Sequence, residues 1–388
     1  MHKSSSIHLG ALLATIVVFI VNALIPSFVN GFPPGLNFDL GRLIENVRSE
    51  EIFYLRYEHS EYGRRLLVLG IQKWANDLGI PFQLSFNLIT LVSNYCFFFF
   101  GYQLASMKYK GLNPYLFMGF LALSFPVLFA YLPVIFTYDD TFQFALLAGF
   151  FLCLYRERRL GAYLLFFLAC LSRETTILFG AFLPVYFLLE YKAFKKAVLE
   201  LMPYGLIVLL YGLILYVRMD AETIAESEEY MSDLRFYFYK ANFSDFFRVI
   251  EVTLYITASY LLPYLLIWKK IDLKSHRPMF FAFLSLFVVN LLLSLIAANA
   301  VEARYYTMTL IPIFPLLAPG LQKTWDQLMD NNNFRPQLLI VSVLISSILI
   351  SLYHPQVKRA LYVFGPYLFV FFTGCFYLLL NPSLNKNA

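Results

Sequence analysis

The chain has 388 residues, 60% of them hydrophobic and only 14% charged, with a formal net charge of +5. A soluble globular domain is nearer a quarter charged, so this balance excludes an ordinary soluble protein. It also excludes a nucleic-acid partner, because the basic residues come in short clusters between apolar runs rather than on one basic domain.

Taken in chain order, the apolar runs fall near 8–29, 82–106, 113–136, 141–155, 160–172, 176–190, 198–217, 249–268, 279–299, 305–320, 336–353 and 361–380. Runs of about 18 residues or more read as membrane helices. They are continuous rather than alternating, which is the pattern of helices and not of a β-barrel. The expected fold is all-α: a polytopic helical membrane protein of about 12 transmembrane segments, forming one integral membrane domain over 1–388. The first run lacks a small-residue cleavage site and reads as an uncleaved span. Cys96, Cys153, Cys170 and Cys375 lie in apolar segments without metal-ligand spacing and read as small buried hydrophobes. Neither a metal nor a cofactor is expected.

With the N-terminus in the cytoplasm, the inside loops become KYK (108–110), RERR (156–159), KAFKK (192–196), KKIDLKSHR (269–277) and the stretch 322–335. Their Lys and Arg content follows the positive-inside rule, with VKR (357–359) as the exception. This count also decides how to read Leu160 to Glu190. As one long helix it would send every later loop to the other side and put KKIDLKSHR outside. The chain is therefore expected to go out and come back, with Arg173 and Glu174 at the turn. The two arms are shorter than the ~20 residues of a full span, so the turn is expected below the outer surface, facing protein or water rather than lipid.

The outer face then collects the remaining charges. The first outer loop, 30–81, holds an amphipathic pattern at Leu40, Leu43, Ile44 and Val47, opened by Asp39, and a second helical pattern from Gly63 to Leu78, introduced by Glu61, Arg64 and Arg65. The turn FTYDDT brings Asp139 and Asp140, the next turn Arg173 and Glu174, and EARYY brings Glu302 and Arg304. A second outer loop, 218–248, is acidic at its start and reads as a solvated face or a lid. Each charge alone has a plainer reading. Asp39, Asp139 and Asp140 suit helix caps, Arg64 and Arg65 suit lipid headgroups, and Arg173–Glu174 and Glu302–Arg304 suit simple ion pairs. What points to a site is that all of them share one side.

The ordered motifs NFDLGRLIEN (37–46), SEYGRR (60–65), TYDDTFQFALLAGFFLCL (137–154), YLLFFLACLSRETTILF (163–179) and EARYYTMTLIPIFPLLAPG (302–320) resemble those of the GT-C superfamily of polytopic glycosyltransferases. The branch that they resemble is that of aminoarabinose and protein mannosyl transferases, which use polyprenyl-phosphate sugars. The chain departs from it in the first motif, where a lone Asp39 precedes Leu-Gly-Arg. The resemblance implies a GT-C-like fold with interfacial helices after the first span, and inverting sugar transfer from a polyprenyl-phosphate donor to a glycan, lipid or protein acceptor on the extracytoplasmic face. It implies Asp39 as the base, with Asp139 and Asp140 beside it. Arg64, Arg65, Arg173 and Arg304 would bind the donor phosphate, and Glu61, Glu174 and Glu302 would support them, with Glu174 holding Arg173. The other readings are a transporter or flippase of a lipid-linked or anionic substrate, which favours midplane charges and inverted repeats, a membrane polymerase or ligase of glycans, and an inactive scaffold that retains the fold.

Overall fold

The fold was analysed in a computed structural model, which describes residues 2–24, 65–124, 139–218, 239–246, 276–297, 304–329 and 336–353, together with residues 54, 127, 248–250, 252–253, 373–374, 376–377 and 380. Every regular element among them is helical, and no strand occurs. Three helices are long and apolar enough to cross a membrane, Phe82–Ala105, Phe194–Arg218 and Arg277–Ile296. The chain is thus an all-helical protein suited to a membrane. The expected pattern at Leu40–Val47 and most of the loop 218–248 lie outside the described residues.

In chain order the helices are α1 (His2–Leu24), α2 (Leu66–Asp77), α3 (Phe82–Ala105), α4 (Pro114–Ala122), α5 (Asp139–Tyr155), α6 (Arg159–Ser172), α7 (Leu183–Tyr191), α8 (Phe194–Arg218), α9 (Arg277–Ala297), α10 (Arg304–Leu310), α11 (Phe314–Met329) and α12 (Pro336–Tyr353). A 3-10 helix, Glu174–Gly180, links α6 to α7. Their ends follow local chemistry. The Asn113 side chain accepts from the backbone N–H of Tyr115 (2.9 Å) and Leu116 (3.3 Å), and Pro114 opens α4 where a missing N–H costs nothing. Pro81 stands at the N-terminal cap of α3.

α5 forms the centre, packed against α3 on one side and α6 on the other. Its two ends differ in character. It starts with Asp139 and Asp140 and leads at its other end into the basic turn at 156–159. At 17 residues it separates the two by about 25 Å. α6 runs back from the basic turn to Ser172, and the chain then reverses. Tyr186 of α7 packs its ring 5.5 Å from that of Tyr155, at the basic end of α5. The segment 160–190 is therefore a hairpin broken at Arg173, as its two charges suggest, and not one long helix.

Between helices in lipid the hydrophobic effect supplies little, so close packing and polar contacts carry the association. The core accordingly is aromatic. Phe151 meets Phe179 and Phe182 at 5.3 and 5.2 Å, and Tyr204 of α8 stands edge-on to Phe166 at 5.3 Å. Such pairs contribute about 0.5–1.5 kcal/mol each beyond the area they bury. At Gly101 the α3 backbone passes the Phe314 ring so closely that a Cβ would lie 3.3 Å from it, tighter than most real contacts. Cys170 is buried, and Cys96 and Cys153 are partly so, all three as free thiols in apolar packing.

α2 is tied to α3 by apolar packing of Val68 and Leu69 on Phe82 and Phe86. A polar contact adds to it. The amide nitrogen of Gln72, a fully buried residue, donates to Ser85 Oγ at 2.5 Å. This fixes the helix whose first residue follows Arg65.

Candidate functional site

Four of the expected site residues converge at the start of α5, and Arg65 joins them from the approach to α2. The geometry follows from local backbone. Asp139 and Asp140 occupy the first turn of α5. Neighbours on a helix point about 100° apart, so the two carboxylates address different partners. Asp139 Oδ2 takes a hydrogen bond from Arg65 Nη1, and Asp140 Oδ1 pairs with Arg173 Nη1. Arg65 also donates through Nε and Nη2 to the two oxygens of Glu174, both at 3.3 Å, in a fork-to-fork arrangement.

The expectation that Glu174 holds Arg173 takes a different form: Glu174 forks onto Arg65, Arg173 pairs with Asp140, and the Arg173 charge acts on Glu174 from beside it. Arg173 has extended backbone, φ −158° and ψ 131°. Successive side chains of an extended segment point to opposite sides, so the two neighbours diverge. Arg173 turns to Asp140 and Glu174 to Arg65. The same pairings show that Asp139 and Asp140 do more than cap α5. Asp139, Asp140, Arg65 and Arg173 are all buried, whereas Glu174 is partly exposed.

The five side chains carry two positive and three negative formal charges. Asp139 Oδ1 is buried and has no hydrogen-bond partner among the described residues. An isolated buried charge costs several kcal/mol. The exchange of partners across three chain segments therefore ties the α2 approach, α5 and the α6–α7 turn together. Asp39, Glu61, Arg64 and Glu302 lie outside the described residues. Arg304 opens α10, which packs against α5.

Sequence reasoning missed Gln143, Thr175 and Thr176. Gln143 lies one turn after Asp139, on the same face, and is buried. Its amide nitrogen donates to Thr175 Oγ1 at 3.0 Å and to Thr176 Oγ1 at 2.8 Å, and Thr176 Oγ1 donates on to the Ala169 carbonyl at 2.9 Å. The turn that carries Arg173 and Glu174 is thus held from below. A polar amide in an otherwise apolar run was the available signal. Gln143→Leu is expected to lower stability by about 2 kcal/mol, roughly 1 kcal/mol for each lost hydrogen bond. Thermal unfolding of the purified protein checks it.

Beside the cluster runs an apolar groove of about 410 Å³, lined by Leu66, Leu67, Ile71 and Trp74 of α2, Leu171 of α6 and Ile214 of α8. Leu66 follows Arg65 directly, and Leu171 precedes Arg173 by two residues, so the groove leads from the charged cluster along the bundle surface. Among the described residues no group of three or more His, Cys, Asp or Glu could hold a metal ion. Compared with family models, curated proteins and solved structures, the chain matches none.

Proposed function

We propose that the chain is a multi-pass membrane glycosyltransferase of GT-C type, which takes a sugar from a polyprenyl-phosphate donor and transfers it on the extracytoplasmic side. The observation that carries this reading is the pairing of a buried arginine–carboxylate cluster with an apolar groove at its edge. Together they suit a ligand that is apolar over most of its length and anionic at one point. The basic turns at the far end of α5 support the sidedness, because such turns face the cytoplasm. The cluster then faces outward.

In this reading an acceptor hydroxyl oxygen attacks the anomeric carbon from the face opposite the phosphate. Its bond to the phosphate oxygen breaks, polyprenyl phosphate leaves, and Asp39 takes the hydroxyl proton. Charge grows on the phosphate as the bond breaks, and arginines aimed at it stabilise that state. The five described charges sum to one negative, so a phosphate gains a place only by exchanging with a carboxylate on an arginine or by meeting Arg64 and Arg304. Asp140 on Arg173 is the pair that we assign to this exchange. Arg65, gripped by both Asp139 and Glu174, serves as the frame, and Asp139 Oδ1 is the acceptor left for a sugar or acceptor hydroxyl. Glu61 and Glu302 keep their supporting roles.

Asp39→Asn tests the chemistry. It is expected to abolish transfer while the protein accumulates normally in the membrane. Unchanged transfer would sink the assignment of the base. A flippase would instead move the labelled donor across the bilayer with its sugar–phosphate bond intact.

A further inference from the structure

At the end of the bundle remote from the charged cluster, the chain builds a second charged surface, of the opposite kind. Two short turns lie there, α5–α6 and α7–α8. They carry Arg156, Arg158, Arg159, Lys192, Lys195 and Lys196, all exposed, against Glu157, Glu190 and Glu200. The turns are brought together by an ion pair from Arg159 at the start of α6 to Glu200 in α8. Lys196 sits over the Tyr191 ring, with Nζ 4.2 Å from its centroid.

Three features of this surface ask for an occupant. First, the two apolar residues that open α6 and α8 point away from the core: Leu160 is 83% exposed and Phe194 76% exposed, each beside a basic residue. An apolar side chain next to a cationic one is the pattern of a surface that meets both acyl chains and headgroups. Second, Lys192 ends α7 in the left-handed region, φ 52°, where glycine would sit without strain. The α7–α8 turn thus holds the Lys192 cation in place at a backbone cost, as the α5–α6 turn does Glu157 at φ 57°. Third, the excess of basic residues on these two turns is three, a large part of the net +5 of the whole chain.

We infer that the surface between the starts of α6 and α8 binds an anionic phospholipid of the adjoining leaflet. Arg159, Lys192, Lys195 and Lys196 would face the phosphate and headgroup, with Leu160 and Phe194 against the acyl chains. Basic residues near an anionic surface each raise affinity by about fivefold, an effect that falls within a Debye length. The site requires only that the chain lies in a membrane. It does not rest on the glycosyl-transfer reading.

The test uses the full chain reconstituted in vesicles of equal parts phosphatidylglycerol and phosphatidylcholine, then gently extracted, with bound lipid counted by native mass spectrometry. The wild type is expected to retain phosphatidylglycerol about fivefold or more over phosphatidylcholine, and to lose that preference in about 0.5 M salt. Lys192→Gly with Lys195→Gln and Lys196→Gln leaves three basic against three acidic residues on the two turns, with Arg159 held by Glu200, and is expected to retain the two lipids equally. Its unfolding temperature should not fall, because glycine relieves the strained turn. Lys195→Arg with Lys196→Arg should keep the preference. A wild type with no preference for phosphatidylglycerol, or a preference that survives the triple substitution or high salt, would overturn the inference.

Discussion

Arg173→Met combined with Asp140→Leu is expected to give a folded, membrane-inserted protein that consumes donor about 10²–10³ times more slowly, whereas either single change unfolds a large share of it. The reason lies in the price of a buried charge that loses its ion-pair partner. Asp140 and Arg173 are both buried and pair with each other. Removing one leaves the other charged inside the bundle, at about 3–5 kcal/mol. Replacing both with apolar side chains of similar volume removes that penalty and is commonly neutral or stabilising. Activity should not follow stability. If Arg173 meets the leaving phosphate, the double variant loses a charge-assisted contact at the reacting centre, and a loss of one such donor costs about 10²–10³ in rate. Thermal unfolding and donor turnover, measured on the same four proteins, separate the two effects. A double variant that is both stable and active would show that the pair is structural only.

The second large effect concerns Arg65. Its guanidinium serves two carboxylates at once, Asp139 through Nη1 and Glu174 through Nε and Nη2. Arg65→Leu should therefore be at least as damaging as Arg173→Met, since it removes the partner of one fully buried acid and of one partly exposed acid. Glu174 is partly exposed and water relieves some of that cost, so the loss is set mainly by Asp139, which is fully buried. We expect a loss of at least about 3 kcal/mol. Arg65→Lys should rescue only part of it, because a lysine ammonium cannot reproduce the planar fork. Asp139→Asn in the Arg65→Leu background should recover stability, as it removes the buried charge that the arginine answered. Unfolding temperatures of these three variants, read against the wild type, check the order: Leu lowest, Lys between, and Leu with Asn above Leu alone.

Much of this arrangement was legible in the sequence, and the illegible part has identifiable causes. The break at Arg173 could be read because two charges interrupt an apolar run and because the basic loops fix the parity of crossings. The helix Phe82–Ala105 was bounded by Pro81 and by the polar residues after Ala105. The start of α5 was read two residues late, at 141 instead of Asp139, since acids at a helix start and acids just before it look alike in sequence. The pairings themselves could not be read. Arg65 lies 74 residues from Asp139 and 109 from Glu174, so the partners are set by helix packing and not by spacing. Adjacency told only part of it: Arg173 and Glu174 look like a couple, and the Arg173 charge does act on Glu174, but each takes its ion pair from elsewhere, Arg173 from Asp140 and Glu174 from Arg65. Gln143 was passed over because a single amide barely alters the hydropathy of its run, although it is the residue that braces the turn.

The two ends of α5 also explain each other. One end gathers acids against arginines in a buried cluster, and the other displays lysines and arginines in tight, exposed turns. The apolar groove lies beside the buried cluster, at the end of α5 away from the basic turns.

The central claim is that this cluster handles the phosphate of a lipid-linked sugar. Its most direct test is incubation of the purified protein, reconstituted in lipid, with a panel of labelled polyprenyl-phosphate sugars, scored for release of polyprenyl phosphate, with the stability-matched Arg173→Met/Asp140→Leu protein as control. The account predicts that at least one donor is cleaved by the wild type and that the control cleaves it about 10²–10³ times more slowly. Cleavage that proceeds equally in both proteins, or no cleavage of any donor by a folded wild type supplied with membrane-derived acceptors, would contradict it.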